Sequence, residues 1–523
     1  MTATDVLPGG FDFTDPDVNQ QGVPHEAFRA ARQSHPVSWV EQDPVWCSGF
    51  APEAGTGYFA VTRHADVAAI SKDSKSWSTY ENGAIIRFPG EMAREQIELQ
   101  RVILINQDEP EHTATRQIIS RGFTPRSSAE LEETMERRAR QIVGDAKARG
   151  TGNFVEDIAA ELPLQAIADL LGVPQEDRHK LFEWSNQMLA GEDPDYAGNN
   201  DIAAAEILGY SMMLAAERQA NPRDDLITKL INAHKGERGL NDDEFGYFVI
   251  LLTVAGNETT RNAITHGMNA FFDNPEQWEI WKRDRPATMV DEVVRWATPV
   301  NVFQRTALKD VEVGGVEIKK GQRAALFYAS ANFDEDVFED PFSFDILRDP
   351  NPQLGFGGHG AHYCLGANLA RQEIRVLFDA LAPATGMQAV TGPGVVLVAD
   401  DAESPVASGS KVVDVDLRQA VNGLWQAGAE AIAVNGHRLS SRTAIRGAGD
   451  AITVDYRSLT QPYHIEAIGD PDGLLRAFPA TGGGAWWAYL KQNYGIRYDL
   501  STAGNLRLEA DPGLGLRVAE TKP

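Results

Sequence analysis

The stretch Gly355-Phe356-Gly357-Gly358-His359-Gly360-Ala361-His362-Tyr363-Cys364-Leu365-Gly366 constrains this chain more than any other. Its glycines leave the backbone free to turn N–H groups toward one point. The helix-like run that follows, Ala367 to Ala380, brings the positive end of its dipole to the same place. That place is a cysteine, and such surroundings favour the thiolate. The competing reading is an inert buried cysteine beside a turn, the commoner fate of an isolated one. The only other cysteine is Cys47, so neither a disulfide scaffold nor a four-cysteine zinc site can be built. Whatever Cys364 does, it does alone or with a cofactor.

The elements around it are mostly helical. Glu161 to Leu171 reads as a helix stopped by Gly172, with Pro174 beyond. Asn241-Asp242-Asp243-Glu244 has the form of a capping box and opens a long apolar helix, Phe245 to about Phe272. Short strands flank a turn in Val311 to Ile318. After Leu381 the character changes. Pro383-Ala384-Thr385-Gly386 and Thr391-Gly392-Pro393-Gly394 punctuate the chain. Strands are expected at Val395–Val398, Ala431–Val434, Ala451–Val454 and Tyr463–Ile468, with helices at Asp414–Ala429, Asp472–Phe478 and Ala485–Tyr494. We therefore expect a mainly α domain with small β-sheets at 1–382, a junction at 383–393, and a small α+β domain at 394–523.

Three further segments carry chemistry. Ala255-Gly256-Asn257-Glu258-Thr259-Thr260 sets a polar cluster inside the apolar helix, where a Thr hydroxyl can bond back to a carbonyl one turn earlier and loosen the ladder. Glu292 and Arg295 share a helix face at i and i+3, where a carboxylate can grip a guanidinium. His112 and Arg116 share another at i and i+4. Taken singly, these are a kink device, a surface pair and solvated charges.

Together, and in this order, they resemble the cytochrome P-450 family. Gly360, His362, Cys364 and Gly366 match its haem-binding loop, with Phe356 one residue earlier than usual. The shifted form, with Gly360-Ala361-His362-Tyr363-Cys364, is similar to that of an actinobacterial steroid C26/C27-monooxygenase subfamily. Tyr80 to Gly83, Arg121 to Arg126 and Lys319 to Arg323 are similar to the same subfamily. The resemblance implies haem b with Cys364 as the iron ligand, and a thiolate so held can push electron density toward O–O cleavage. It implies His112, Arg116, Arg305 and His362 at the haem propionates, Thr259 as the proton-relaying alcohol and Glu258 as the acid. It implies a structural network of Glu292, Arg295 and Arg348, and a sterol pocket at Ala84, Ile85, Phe88, Val254, Val300 and Val302. The substrates implied are O2 and cholesterol or cholest-4-en-3-one. Electrons would come from NAD(P)H through a ferredoxin reductase and a ferredoxin, docked on a basic face formed by Arg121, Arg126, Arg371 and Arg375. The family's closing β-rich tail has no counterpart after the cysteine helix, so Val376, Leu377 and Phe378 are expected to lose cover. Gly394 to Val398 is the candidate replacement strand.

The second segment, about Val390 to Leu508, resembles YlxW-like domains of unknown function, through Asp416 to Gly436, Thr443 to Arg446, Gly449 to Ile452 and Pro462 to Gly469. It carries no nucleophile–base pair and no metal spacing, so a binding role is the expectation, with its partner open. A rival to the oxygenase reading is a catalytically impaired fusion or joined chain whose C-terminal domain is an envelope or division module. The net charge of -27 argues against nucleic acid and anionic membrane surfaces as partners. No apolar run reaches the length of a membrane span and the start lacks a leader pattern, so a cytoplasmic location is expected.

Overall fold

The computed structural model describes residues 11–20, 22–88, 90–120, 123, 125–149, 152–189, 200–223, 225–231, 239–384, 389–403, 410–439, 443, 445–448, 451–454 and 457–509. The chain forms two compact units. One comprises Met1–Ile142, Asn153–Gln277 and Pro286–Leu377, the other Val143–Gly152, Trp278–Arg285 and Phe378–Pro523.

The first unit is mainly α. Its axis is the Asp242–Asp273 helix, whose start is closed reciprocally: Asn241 Oδ1 accepts the Glu244 N–H at 2.9 Å, and the Glu244 carboxylate accepts the Asn241 N–H at 3.0 Å. The Glu161–Leu171 helix ends where expected, at Gly172 in the left-handed region. The hairpin Val311–Val313/Val316–Ile318 turns through Gly314 and Gly315, both at positive φ. A five-stranded sheet went unforeseen. Its order is Val37–Glu41, Gly57–Val61, Arg323–Phe327, Val302–Ala307, Trp77–Ser78, with one parallel pair, Gly57–Val61 beside Arg323–Phe327. Both members of that pair are buried along their whole length, so they show no alternation for a sequence reading to catch.

The helix after Cys364 runs Ala367–Ala384. The expected loss of cover does not occur: Val376, Leu377 and Phe378 are only 4%, 0% and 0% exposed. In the second unit the Phe378 ring meets Trp278 at 6.2 Å between centroids, and its carbonyl accepts the Trp281 indole N–H at 3.5 Å.

The second unit centres on an antiparallel sheet ordered His437–Arg438, Ala431–Val434, Tyr463–Ile468, Val390–Asp400, Arg497–Leu508. Helices Asp414–Gln426, Pro471–Ala477 and Gly482–Tyr494 and a three-stranded antiparallel sheet, Ile445–Ala448, Ala451–Val454 and Arg457–Ser458, pack with it, and Leu397, Leu417, Leu424, Ile465 and Trp487 lie at the centre of its core. Val390–Asp400 is paired along both sides within this sheet. Gly394 to Val398 is therefore an interior strand of the second unit, not a replacement strand for the first. Among the described residues no helix is long and apolar enough to cross a membrane.

Candidate active site

The cysteine loop is held by close approach. A Cβ on Gly360 would stand 1.7 Å from the Ser71 carbonyl oxygen, so no side chain fits there. Gly357 adopts φ +95°, a conformation that favours glycine. The Cys364 N–H donates to the Phe356 carbonyl at 2.9 Å, closing the loop on itself. Cys364 lies deep in the fold, yet its side chain is accessible, because it opens on a cavity. Burial raises the thiol pKa, while the Gly366 N–H, Arg116 and Arg371 pull the other way.

That cavity has a volume of about 260 Å³ and is partly open to solvent. One wall is the long helix, presenting Phe248, Leu251, Leu252, Ala255, Gly256, Thr259, Thr260 and Ala263. These recur at the three- and four-residue spacing of one helix face. Thr259 bonds back as its sequence suggested, its hydroxyl donating to the Ala255 carbonyl at 2.6 Å. Glu258 is not on this face. Its carboxylate accepts from the Arg261 guanidinium and, at 2.9 Å, from the Asn262 amide.

Of the six residues expected at the sterol pocket, Val300 alone lines the cavity. Val254 lies off the lining face of its helix, Ala84 and Phe88 are core residues, Ile85 is exposed, and Val302 packs against another cluster. Family position gave the segment of chain, while helix rotation and local packing decide which side chains reach the cavity. Leu251, Leu252 and Phe303 supply the apolar wall instead.

His112, Arg116, Arg305 and His362 converge on the cavity. The two imidazoles lie 4.3 Å apart between ring centroids. Arg116 donates to the Tyr363 carbonyl at 2.5 Å and Arg305 to the Gln304 carbonyl at 2.8 Å. Burial, helped by Arg116 and Arg305, lowers the His112 pKa to about 4. Burial also pushes His362 far down, with Arg305, His112 and Arg116 adding to it. His112 Nε2 is buried with no hydrogen-bond partner. Desolvated donors of this kind call for an anion. Two carboxylates at this rim and a metal at the sulfur describe haem, so the residues fit the group that the sequence implied.

Glu292 and Arg295 are wholly buried, joined by two hydrogen bonds of 2.8 Å, and Arg348 adds a third contact to Glu292 at 3.1 Å. The neighbouring Asp291 was overlooked. It accepts from Arg371 at 2.8 and 3.1 Å, while Arg375 pairs with Glu132. Two arginines of the expected docking face are thus already paired. Arg121 and the side chain of Arg126 lie outside the described residues. Also overlooked was Glu373, which lines the cavity and is 2% exposed; burial raises its pKa to about 8. Its only sequence signal was an acid within the apolar stripe of the cysteine helix. Among the described residues no cluster of His, Cys, Asp and Glu could hold a metal ion.

Residues 287–381 match the family described as cytochrome P450, and residues 378–520 match one described as a bacterial protein of unknown function. The steroid C26-monooxygenase of Mycobacterium tuberculosis is 55% identical over 377 residues, covering 72% of this chain and 86% of that protein. The methyl-branched lipid omega-hydroxylase of the same species is 40% identical over 388 residues, covering 72% and 87%. Among solved structures, a Mycobacterium marinum cytochrome P450 in complex with pseudoionone aligns with TM-score 0.63 at 35% identity, over 71% of this chain and 90% of that one.

Proposed function

The chain belongs to the cytochrome P450 family, and from this we propose that it is a haem-thiolate monooxygenase that hydroxylates the terminal side-chain methyl, C26 or C27, of cholesterol or cholest-4-en-3-one. The sterol reading is supported by 55% identity to a protein named for steroid C26 oxidation, against 40% to the lipid omega-hydroxylase. The observation that carries the chemistry is one cavity with Cys364 and Thr259 both on its surface and a rim of His112, Arg116, Arg305 and His362, in which the buried His112 Nε2 has no partner.

When bound, haem supplies oxygen activation and C–H oxidation. Cys364 holds its iron, and His112, Arg116, Arg305 and His362 take its carboxylates. The apolar face of the long helix, with Phe303, orients a sterol by burying its surface and keeps bulk water out. Thr259 passes a proton into the cavity from a hydroxyl that is parked on the Ala255 carbonyl. Glu258 replenishes it by leaving the Arg261 pair, taking up a proton from solvent and handing that proton to the Thr259 hydroxyl, which makes the pair a latch on proton supply. Electrons arrive singly from a ferredoxin, reduced by a flavoprotein that uses NAD(P)H. We assign the oxygenase to 1–382 and a non-catalytic domain to 394–523, in a cytoplasmic protein.

The test is the ferrous carbon-monoxide spectrum of the purified full chain, followed by reconstitution with ferredoxin, reductase, O2 and cholest-4-en-3-one. A thiolate-type Soret band and a side-chain alcohol are expected. Cys364→Ala abolishes both, and Cys47→Ala leaves both unchanged. A wild-type chain that binds haem without a thiolate-type band sinks the reading.

A further inference from the structure

Two adjacent carboxylates stand on the Met289–Ala297 helix, and they face different neighbours because consecutive helical residues are about 100° apart. Glu292 closes the network with Arg295 and Arg348. Asp291 turns toward the cysteine loop. Its Oδ1 accepts from Arg371 Nε at 3.1 Å and from a terminal Arg371 nitrogen at 2.8 Å. The same oxygen accepts from Gln353 Nε2 at 3.0 Å. Gln353 passes the link on, its Oε1 accepting the Gly355 N–H at 2.6 Å. Arg371 in turn lies over the Phe356 ring at 4.4 Å.

We propose that Asp291 is a positioning residue for the thiolate: through Gln353 it pins the entry of the Gly355–Cys364 loop, and through Arg371 it pins the helix that leaves Cys364, so that the sulfur is held from both sides by one carboxylate. The proposal rests on the haem-thiolate reading above. A loop so rich in glycine has little stiffness of its own. Its backbone is tied internally at few points, among them Cys364 N to Phe356 O and Tyr363 N to Gly360 O. External anchors therefore decide where the sulfur stands. Metal-ligand geometry is commonly tuned by outer partners of this kind. The assignment also gives Arg371 a task other than partner docking, since its guanidinium is engaged by Asp291 on one side and the Phe356 ring on the other.

The experiment compares the wild-type full chain with Asp291→Leu, Asp291→Glu and Gln353→Met. Haem loss to an acceptor globin, the ferrous carbon-monoxide band and the haem reduction potential are measured for each. Asp291→Leu is expected to lose haem about 10-fold faster, to move carbon-monoxide complex from the thiolate-type to the thiol-type band, and to raise the potential. Asp291→Glu should restore most of the thiolate band. Gln353→Met, close in volume, should shift the band in the same direction but less, and it decides the matter if Asp291→Leu does not fold. If both Asp291→Leu and Gln353→Met keep the wild-type band and potential in the haem they retain, Asp291 is merely structural and the proposal is overturned. If the wild type itself shows no thiolate band, it is the haem-thiolate reading that has failed.

Discussion

Glu292, Arg295 and Arg348 meet partners of opposite charge, whereas the rim formed by His112, Arg116, Arg305 and His362 gathers cations and imidazoles whose partners are neutral: single backbone carbonyls for Arg116 and Arg305, and the Thr79 hydroxyl for His362. Glu292 accepts from Arg295, Arg348, Asn351 and the Asp345 N–H, and Arg295 also donates to the carbonyls of Asn332 and Pro341. At the rim, His112 Nε2 has no partner, and burial holds the pKa of Arg305 below its ordinary range. Both clusters lie in the same unit, and both are costly to bury. The first offsets that cost within the protein. The second offsets it only in part, with neutral partners, and leaves the rest to an anionic ligand. Buried charge that is satisfied belongs to folding, and buried charge left unsatisfied around a cavity belongs to binding.

The contrast breaks most visibly at Arg295. Arg295→Leu leaves Glu292 buried with much of its compensation gone, a change expected to cost about 3–5 kcal/mol. Denaturant unfolding of the haem-free chain measures it. A loss below about 1 kcal/mol would mean the network is not the strut it looks to be.

Glu373 is the next largest case, a buried acid on the cavity wall. Burial raises its pKa from 4.5 to about 8, so the folded chain keeps a proton that the unfolded chain gives up. Its contribution to stability is full below about pH 4.5 and is lost as pH rises toward about 8. The penalty at the top of that window is on the order of a few kcal/mol. Glu373→Gln should flatten the stability profile across the window, measured by thermal melts at a series of pH values. An unchanged slope would show that the acid is solvated.

At the rim the sign reverses. Arg305→Leu removes a desolvated cation, so the haem-free chain should be as stable as wild type or slightly more so, while haem affinity falls about 10- to 100-fold. If the haem-free chain were destabilised as much as Arg295→Leu, the two clusters would not differ in kind. The smallest effect on folding is expected at Thr259, whose hydroxyl is satisfied within its own helix. Thr259→Ala should change stability by no more than about 0.5 kcal/mol yet release hydrogen peroxide in place of alcohol during turnover. Unaltered coupling of electrons to product would remove Thr259 from the proton path.

The sequence showed which segments meet better than which side chains do. Gly355 to Gly366 is legible because its chemistry is local: glycines, one cysteine and a helix start adjoin in the chain. Glu292 and Arg295 are legible for the same reason, being one helix turn apart. The Asn241–Glu244 cap and the Gly172 stop follow from short-range rules, and so do the hairpin at Gly314-Gly315 and most elements of the second unit. What was lost depends on rotation or distant pairing. Val254 sits in the right helix and off the lining face. Glu258 belongs to the right turn, with Arg261 drawing its carboxylate aside. Gly57–Val61 pairs with Arg323–Phe327 across more than half the chain, and no local pattern announces that. Arg497–Leu508 was missed because its edge position leaves it mostly exposed and polar.

The contact between Gly360 and the Ser71 carbonyl sets a limit on how this protein can drift. A Cβ 1.7 Å from a backbone oxygen cannot be accommodated by a rotamer change, since nothing but main chain lies there. Variation at Ser71 gives no relief either, because the obstructing atom is common to all twenty residue types. Position 360 is therefore closed to substitution from both partners, whatever the neighbouring side chains become. Gly366 shows the opposite within the same loop, with open space where its Cβ would stand. Any diversification of the loop, by natural drift or by laboratory selection, must pass around the first of these positions, while at the second the limit is set by whatever occupies the cavity that Gly366 lines.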